Sequence, residues 1–365
     1  MNDAAFKKRT IRQLTRAGKV ILVACLVLVC FTGCSLAPGI ETEDVEQSSV
    51  QDFMEEGSYE EAAQLLASEI EEGEDTQENY RLLGICYMGM GEYENAEEAF
   101  LSALGKAGII PGEMEYDINY YLGSCYYKLE QYEESLQVYD AILALKPKDS
   151  DALEMRGAVR MQLGDTEGMM DDFNKAIELD SSNYDRMIEI YEVLSFGGYE
   201  EEGQLVLTQA LEANTGDMSY YDLGRISYYA GDYDTARTAL EQLQDNSDYR
   251  VVLMLGKTYE ALGDFNYATN VYETYLMQDS SQAEVYNQLG LCYMSMENYE
   301  EALSAFENGL ETGDESMAQS LMFNEIVAYE YLGDFETAAD CMEEYIQKYP
   351  GDETAAREYI FLSTR

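Results

Sequence analysis

Nine copies of one pattern, spaced about 34 residues apart, occupy residues 43–350 of this 365-residue chain. With Gln77 as the first position of one unit, the others begin at Glu43, Tyr116, Ser150, Tyr184, Asp217, Tyr249, Ala283 and Gln319. The clearest copy runs Tyr80, Leu83, Gly84, Tyr87, Gly91, Tyr93, Ala96, Phe100, Ala103. Repetition at this period constrains the fold more than any local signal does. A single unit cannot bury its apolar face alone, so neighbours must stack. Leu83, Gly84 and Tyr87 fall at i, i+1 and i+4, the spacing of one buried helical stripe. Glycine at unit position 8 (Gly84, Gly123, Gly157, Gly224, Gly256, Gly290) lets a second helix come close. Glycine at position 15, followed by a polar and then an aromatic residue as in Gly91-Glu92-Tyr93, reads as a helix stop and a new start.

Several units depart from the pattern. Unit five has Tyr191 at position 8 and Gly203 at position 20. Unit four has Met169 at position 20, where over-packing costs about 1–3 kcal/mol if nothing compensates. Between units two and three lie five extra residues around Gly108, Ile109, Ile110, Pro111 and Gly112, read as a longer surface loop or as a partner contact. Residues 354–362 read as a helix over the last hairpin, with Ile360, Phe361 and Leu362 unusually apolar for such a position.

The chain resembles the tetratricopeptide repeat (TPR) family. The resemblance rests on the aromatic, Leu-Gly, Tyr, Gly, Ala and aromatic residues above, and on Pro147 and Pro350 near unit ends. It implies an all-α, right-handed superhelical solenoid of about nine helical hairpins, with residues 351–365 as a C-terminal cap. It also implies a scaffold for binding a protein or peptide segment. In the family the first helix of each hairpin lines the concave face, mainly through positions 2, 5, 9 and 12. Here those positions, or their neighbours on the same face, imply Arg81, Tyr120, Tyr127, Tyr221, Arg225, Tyr228, Arg250, Lys257 and Phe323 as groove residues. The Lys–Asn carboxylate clamp of the chaperone-tail-binding members is absent from every unit. A non-protein ligand such as a cell-envelope glycan is the second reading, since tyrosine platforms would serve it too.

Composition narrows the function classes. Lys and Arg number 22 against 72 Asp and Glu, a net charge of −50. The acidic residues alternate with apolar ones at helical spacing, which describes a solvated outer surface. Nucleic-acid binding needs a basic stripe and is not expected. There is no histidine, which removes the commonest general base and most zinc sites. No phosphate-cradling glycine loop or calcium loop is present, so neither an enzyme nor a cofactor is expected. Cys86, Cys125 and Cys292 all fall at unit position 10, which the family keeps small, and read as buried core thiols.

The first 34 residues differ in kind. Lys7, Lys8, Arg9, Arg12, Arg16 and Lys19 precede a twelve-residue apolar run over residues 20–31. That run is too short for a membrane span, which needs about 20 residues, but suits a signal-peptide core. It ends in Phe31-Thr32-Gly33-Cys34, which resembles the lipobox of bacterial lipoproteins. The resemblance implies a signal peptide over 1–33, lipidation of Cys34, a tether over 34–42, and a lipid-anchored protein on the extracytoplasmic face of the bacterial cell membrane. Loss of residues 1–33 would leave 16 basic and 71 acidic residues. An anionic membrane would repel such a body, so the lipid must anchor it.

Overall fold

The computed structural model describes residues 44–55, 57–108, 112–213, 216–243 and 248–364. The leader, Cys34, the tether, and Ile109 and Ile110 of the long loop lie outside them. Among the described residues the regular structure is entirely helical. The chain divides between Asn183 and Tyr184 into two compact units. The first holds α1 (Asp44–Glu55), α2 (Tyr59–Glu72), α3 (Gln77–Gly89), α4 (Tyr93–Lys106), α5 (Glu113–Lys128), α6 (Tyr132–Leu145), α7 (Ser150–Gln162) and α8 (Thr166–Leu179). The second holds α9 (Tyr184–Phe196), α10 (Glu200–Ala213), α11 (Tyr220–Tyr229), α12 (Tyr233–Leu240), α13 (Tyr249–Ala261), α14 (Phe265–Leu276), α15 (Ala283–Ser295), α16 (Tyr299–Glu311), α17 (Glu315–Leu332), α18 (Phe335–Lys348) and α19 (Glu353–Leu362). Odd-numbered helices up to α17 open a hairpin and even-numbered ones close it, so each sequence unit is one hairpin.

The turn inside each hairpin has one design. The position-15 residue takes a left-handed conformation, as at Gly91 (φ 74°) and Gly263 (φ 79°). The next N–H then reaches back over the helix end, as from Glu92 to the Tyr87 carbonyl at 2.8 Å. That bond satisfies an orphan carbonyl, the Schellman arrangement. Units three and eight carry Glu130 (φ 57°) and Glu297 (φ 61°) at the same place, so the turn forms there without glycine. Part of the acidic excess has a local use at helix starts. The carboxylates of Asp149, Asp165, Asp232 and Asp334 accept N–H bonds in the first turns of α7, α8, α12 and α18. Negative charge there also meets the positive end of the helix dipole.

The crossing inside each hairpin explains the position-8 glycines. A Cβ on Gly84 would lie 2.5 Å from the Phe100 ring, on Gly157 2.6 Å from Phe173, on Gly256 2.1 Å from Tyr272, and on Gly290 2.3 Å from Phe306. The position-24 aromatic therefore occupies the space that a side chain on the first helix would need. These rings are fully buried, with their hairpin cores. Unit five reverses the arrangement. Its bulky Tyr191 is accommodated because Gly203 faces it on the second helix, where an added Cβ would meet the Tyr191 ring at 3.1 Å. The apparent departure is an exchange of large and small partners across one contact. Met169 is likewise accommodated, wholly buried one helical turn before Phe173.

Some boundaries shift from the sequence reading. Helix α5 opens at Glu113, three residues before Tyr116, because the Glu115 carboxylate accepts the Gly112 N–H at 2.6 Å. Helix α11 opens at Tyr220 rather than Asp217, behind a Ser219 cap. Helix α17 opens at Glu315 rather than Gln319, behind an Asp314 cap, and is 18 residues long. Helix α12 has only eight residues and passes into a single 3-10 turn, Glu241–Leu243.

Candidate partner-binding face

Within the second unit, α9, α11, α13 and α15 each touch the next opening helix, while no pair of closing helices comes as near. A stack that is tighter on one side curves toward that side, so the opening helices form the inner face of this unit. The inner-face positions named from the sequence lie on opening helices of the two units, and most are half-buried rather than solvent-facing. What covers them is the neighbouring hairpin.

In the first unit, the Arg81 guanidinium pairs with Glu78 at 3.1 Å and reaches Asp117 of α5 at 2.5 Å. The Tyr120 hydroxyl donates to Asp149, the cap of α7, and burial together with that carboxylate pushes its phenol upward in pKa. Tyr127 stands edge-on to Tyr132 at 5.5 Å and receives a bond from Gln162 of α7 at 3.3 Å. Each side chain joins one opening helix to its neighbour or to its own closing helix. They hold the stack together as well as lining it.

In the second unit, the Arg225 guanidinium sits 5.1 Å over the Tyr221 ring and pairs with Asp185 of α9 at 2.5 Å. Burial raises the Tyr221 phenol, opposed by Arg225 and Arg250. Arg250 lies on α13, the next opening helix. Its own guanidinium grips the Asp248 carboxylate at 2.6 Å and remains exposed. Tyr228 contacts Tyr229 edge-on at 5.5 Å and Tyr233 at 5.6 Å. Tyr221 and Arg225 thus stand together on α11, with Tyr228 on the same helix and Arg250 on the next opening helix. Phe323 belongs elsewhere, packed on Tyr345 at 5.8 Å in the core of the last hairpin.

Lys257 stands apart from the other cations. It is half-buried on α13, two helical turns beyond Arg250 on the same face, and makes no ion pair among the described residues. The other half-buried cations among the described residues are engaged. Sequence spacing put Lys257 on this face, but its lack of a partner is visible only in three dimensions. Glu260, at position 12 of unit seven, accepts from Tyr272 at 2.6 Å and from Gln288 of α15 at 3.2 Å. That carboxylate ties α13, α14 and α15 together.

The position-10 cysteines are buried as expected. Cys86, Cys125 and Cys292 are inaccessible, and burial pushes their thiols up to about 11, 12 and 12. They are poor nucleophiles at neutral pH. No group of three or more metal-ligating side chains converges among the described residues. No described helix is long and apolar enough to cross a membrane.

Stacked helical hairpins with an inner face of paired opening helices define a helical-repeat interaction scaffold. Sequence models described as tetratricopeptide repeats match residues 49–112, 81–150, 120–184, 221–283, 283–312 and 321–352. The chain belongs to the tetratricopeptide repeat family. Among curated proteins it is similar to BBSome complex member BBS4 of Mus musculus, 22% identical over 233 residues, covering 54% of this chain and 44% of that one. It is also similar to TPR repeat-containing protein MJ1428 of Methanocaldococcus jannaschii, 25% identical over 280 residues, covering 75% of this chain and 43% of that one. The chain therefore spans less than half the length of these relatives. Among solved structures, yeast Tom70 is matched with a TM-score of 0.47 at 16% identity, over 98% of this chain and 78% of that one. MamA of Desulfovibrio magneticus RS-1 is matched with a TM-score of 0.40 at 21% identity, over 47% and 96%.

Proposed function

We propose that this protein is a membrane-tethered, extracytoplasmic and non-enzymatic scaffold, held by lipid on Cys34, whose inner face binds a segment of a protein partner. The observation that carries the binding reading is Lys257. Lys257, a half-buried residue without an ion pair among the described residues, sits on the same inner face as Tyr221, Arg225, Tyr228 and Arg250, in a chain with a net charge of −50. Tyr and Arg are enriched among residues that dominate binding energy. Local positive charge in an acidic body focuses attraction where the rest repels. The fitting partner is an extended segment with an apolar surface and a carboxylate that reaches Lys257.

Arg225 is a poor first choice for mutation, because its loss also breaks the Asp185 pair between hairpins. Lys257→Gln with Tyr221→Ala avoids that contact. Partner affinity of the double variant is expected to fall by at least about 2 kcal/mol, with the helical circular-dichroism signal retained. Wild-type affinity in the variant would place the binding elsewhere. Anchoring is supported by the basic front, the short apolar run and the Gly33-Cys34 junction. A palmitate analogue should label the wild type and not Cys34→Ser; equal labelling of both would rule out lipidation at that thiol.

A further inference from the structure

Position 7 of the repeat unit lies in the core. Leu83, Leu122, Leu255 and Leu289 hold it in units two, three, seven and eight, and all four are buried. Two units place a charge there instead. In unit four it is Arg156, and carboxylates neutralise it. Its guanidinium meets the buried Asp172 at 2.6 and 2.8 Å and Asp140 of α6 at 2.6 Å. In unit nine it is Glu325, half-buried and without a hydrogen bond or ion pair among the described residues.

Nothing nearby offers Glu325 a counter-charge. Residues 258–347 contain no Lys, Arg or His. Lys348, at the end of α18, is taken by Glu315 at 2.7 Å. The charges that bear on Glu325 are those of Glu307 from α16 and Glu344 from α18. It acts in turn on Cys341 of α18 and Tyr329 of its own helix, whose protons it helps to hold. The Tyr329 hydroxyl donates to Glu307 at 3.4 Å. The third helix packed on α17 is α15, whose one charged residue, Glu284, stands in its first turn. A proton relieves a half-buried carboxylate so placed.

The position also lies where α17 meets its neighbours. One turn earlier, Leu321 shares a core with Phe306 of α16, and a Cβ on Gly309 would lie 2.7 Å from Leu321. One residue later, Ile326 lies in the core of the last hairpin with Ala338 and Met342 of α18. One residue earlier, the Asn324 amide donates to Asn287 of α15 at 2.8 Å. A charge formed at Glu325 demands water in the middle of these contacts.

We propose that Glu325 makes the joint between the eighth and ninth hairpins a pH-sensitive one: with its proton α17 closes on α16 and α18, and without it α17, α18 and α19 loosen together while the hairpin of α13 and α14 stays closed. The folded state holds this proton where the unfolded chain has lost it. The joint is therefore tight in mildly acidic solution and loosens as pH rises through about 7. The ion-paired Arg156 makes the corresponding place in unit four indifferent to pH over that range.

The test is amide hydrogen exchange of the full chain, read by mass spectrometry of its fragments at about pH 5.5 and pH 8, with exchange times scaled to the intrinsic rate at each pH. Fragments of α17, α18 and α19 are expected to lose about fivefold to tenfold in protection at the higher pH, while those of α13 and α14 keep theirs. Glu325→Gln is neutral at every pH, and Glu325→Leu restores the residue of the other units. Each should keep its low-pH protection at the higher pH. Protection independent of pH in the wild type, the wild-type loss persisting in either variant, or an equal loss in α13 and α14 would each overturn the proposal.

Discussion

Single residues in this chain are chosen in pairs across a contact. Gly256 exists because the Tyr272 ring fills its side-chain space, and Gly203 exists because Tyr191 does the reverse. The turn residues add a separate backbone requirement. Glu130 and Glu297 hold left-handed conformations that cost an L-residue about 1 kcal/mol and glycine almost nothing. Both are exposed, so little packing is lost on replacement. Glu130→Gly and Glu297→Gly are each expected to stabilise the fold by about 0.5–1 kcal/mol, read as a higher urea midpoint with unchanged slope. A lower midpoint would mean that these carboxylates make a contribution larger than the backbone strain.

At the scale of helices, α17 carries a titratable centre. Glu325 is half-buried, facing Glu307 of α16 and Glu344 of α18, with Tyr329 donating to Glu307 at 3.4 Å and Cys341 close by. Burial first, and then those two carboxylates, push Glu325 up to about 7. A raised carboxylic pKa means the folded state holds its proton over a range where the unfolded chain has lost it. The resulting stability is fully present below the unfolded value of about 4.3 and disappears as pH rises through about 7. Helix-capping Asp314 and Asp352 have lowered values, so they act oppositely and fail only in more acidic solution. Glu325→Gln is therefore expected to flatten the fall in melting temperature between pH 5 and 8 and to add on the order of 1 kcal/mol at pH 8, allowing for solvent screening. An unchanged pH profile would show that Glu325 ionises freely. The nine hairpins and the residues at their crossings were legible in the sequence, because they depend on periodicity and on neighbours within a unit. The state of the inner face was not. Arg225 pairs with Asp185 and Arg81 with Asp117 across hairpins, and such pairs depend on the stacking distance of helices, which no single unit encodes. The capping of α5, α11 and α17 moved their starts by a few residues for local reasons of the same kind.

At the scale of the molecule, charge and shape act together. Seventy-two acidic residues make the outer surface repulsive to most anionic partners and to anionic lipid. The basic and aromatic residues of α11 and α13 gather on the inner face of the second unit, where opening helices touch one another. A partner that binds there must be drawn in by those residues against the field of the body, so its affinity should weaken with salt at that face. The inner face is the surface proposed to meet the partner. Site-specific photo-crosslinking tests it directly, with a benzophenone amino acid placed at Tyr221 or, as the outer control, at exposed Glu273 of α14. One discrete protein adduct is expected from Tyr221, lost in Lys257→Gln, and none of the same mass from Glu273. An adduct from Glu273 alone, or a Tyr221 adduct indifferent to Lys257→Gln, would contradict it.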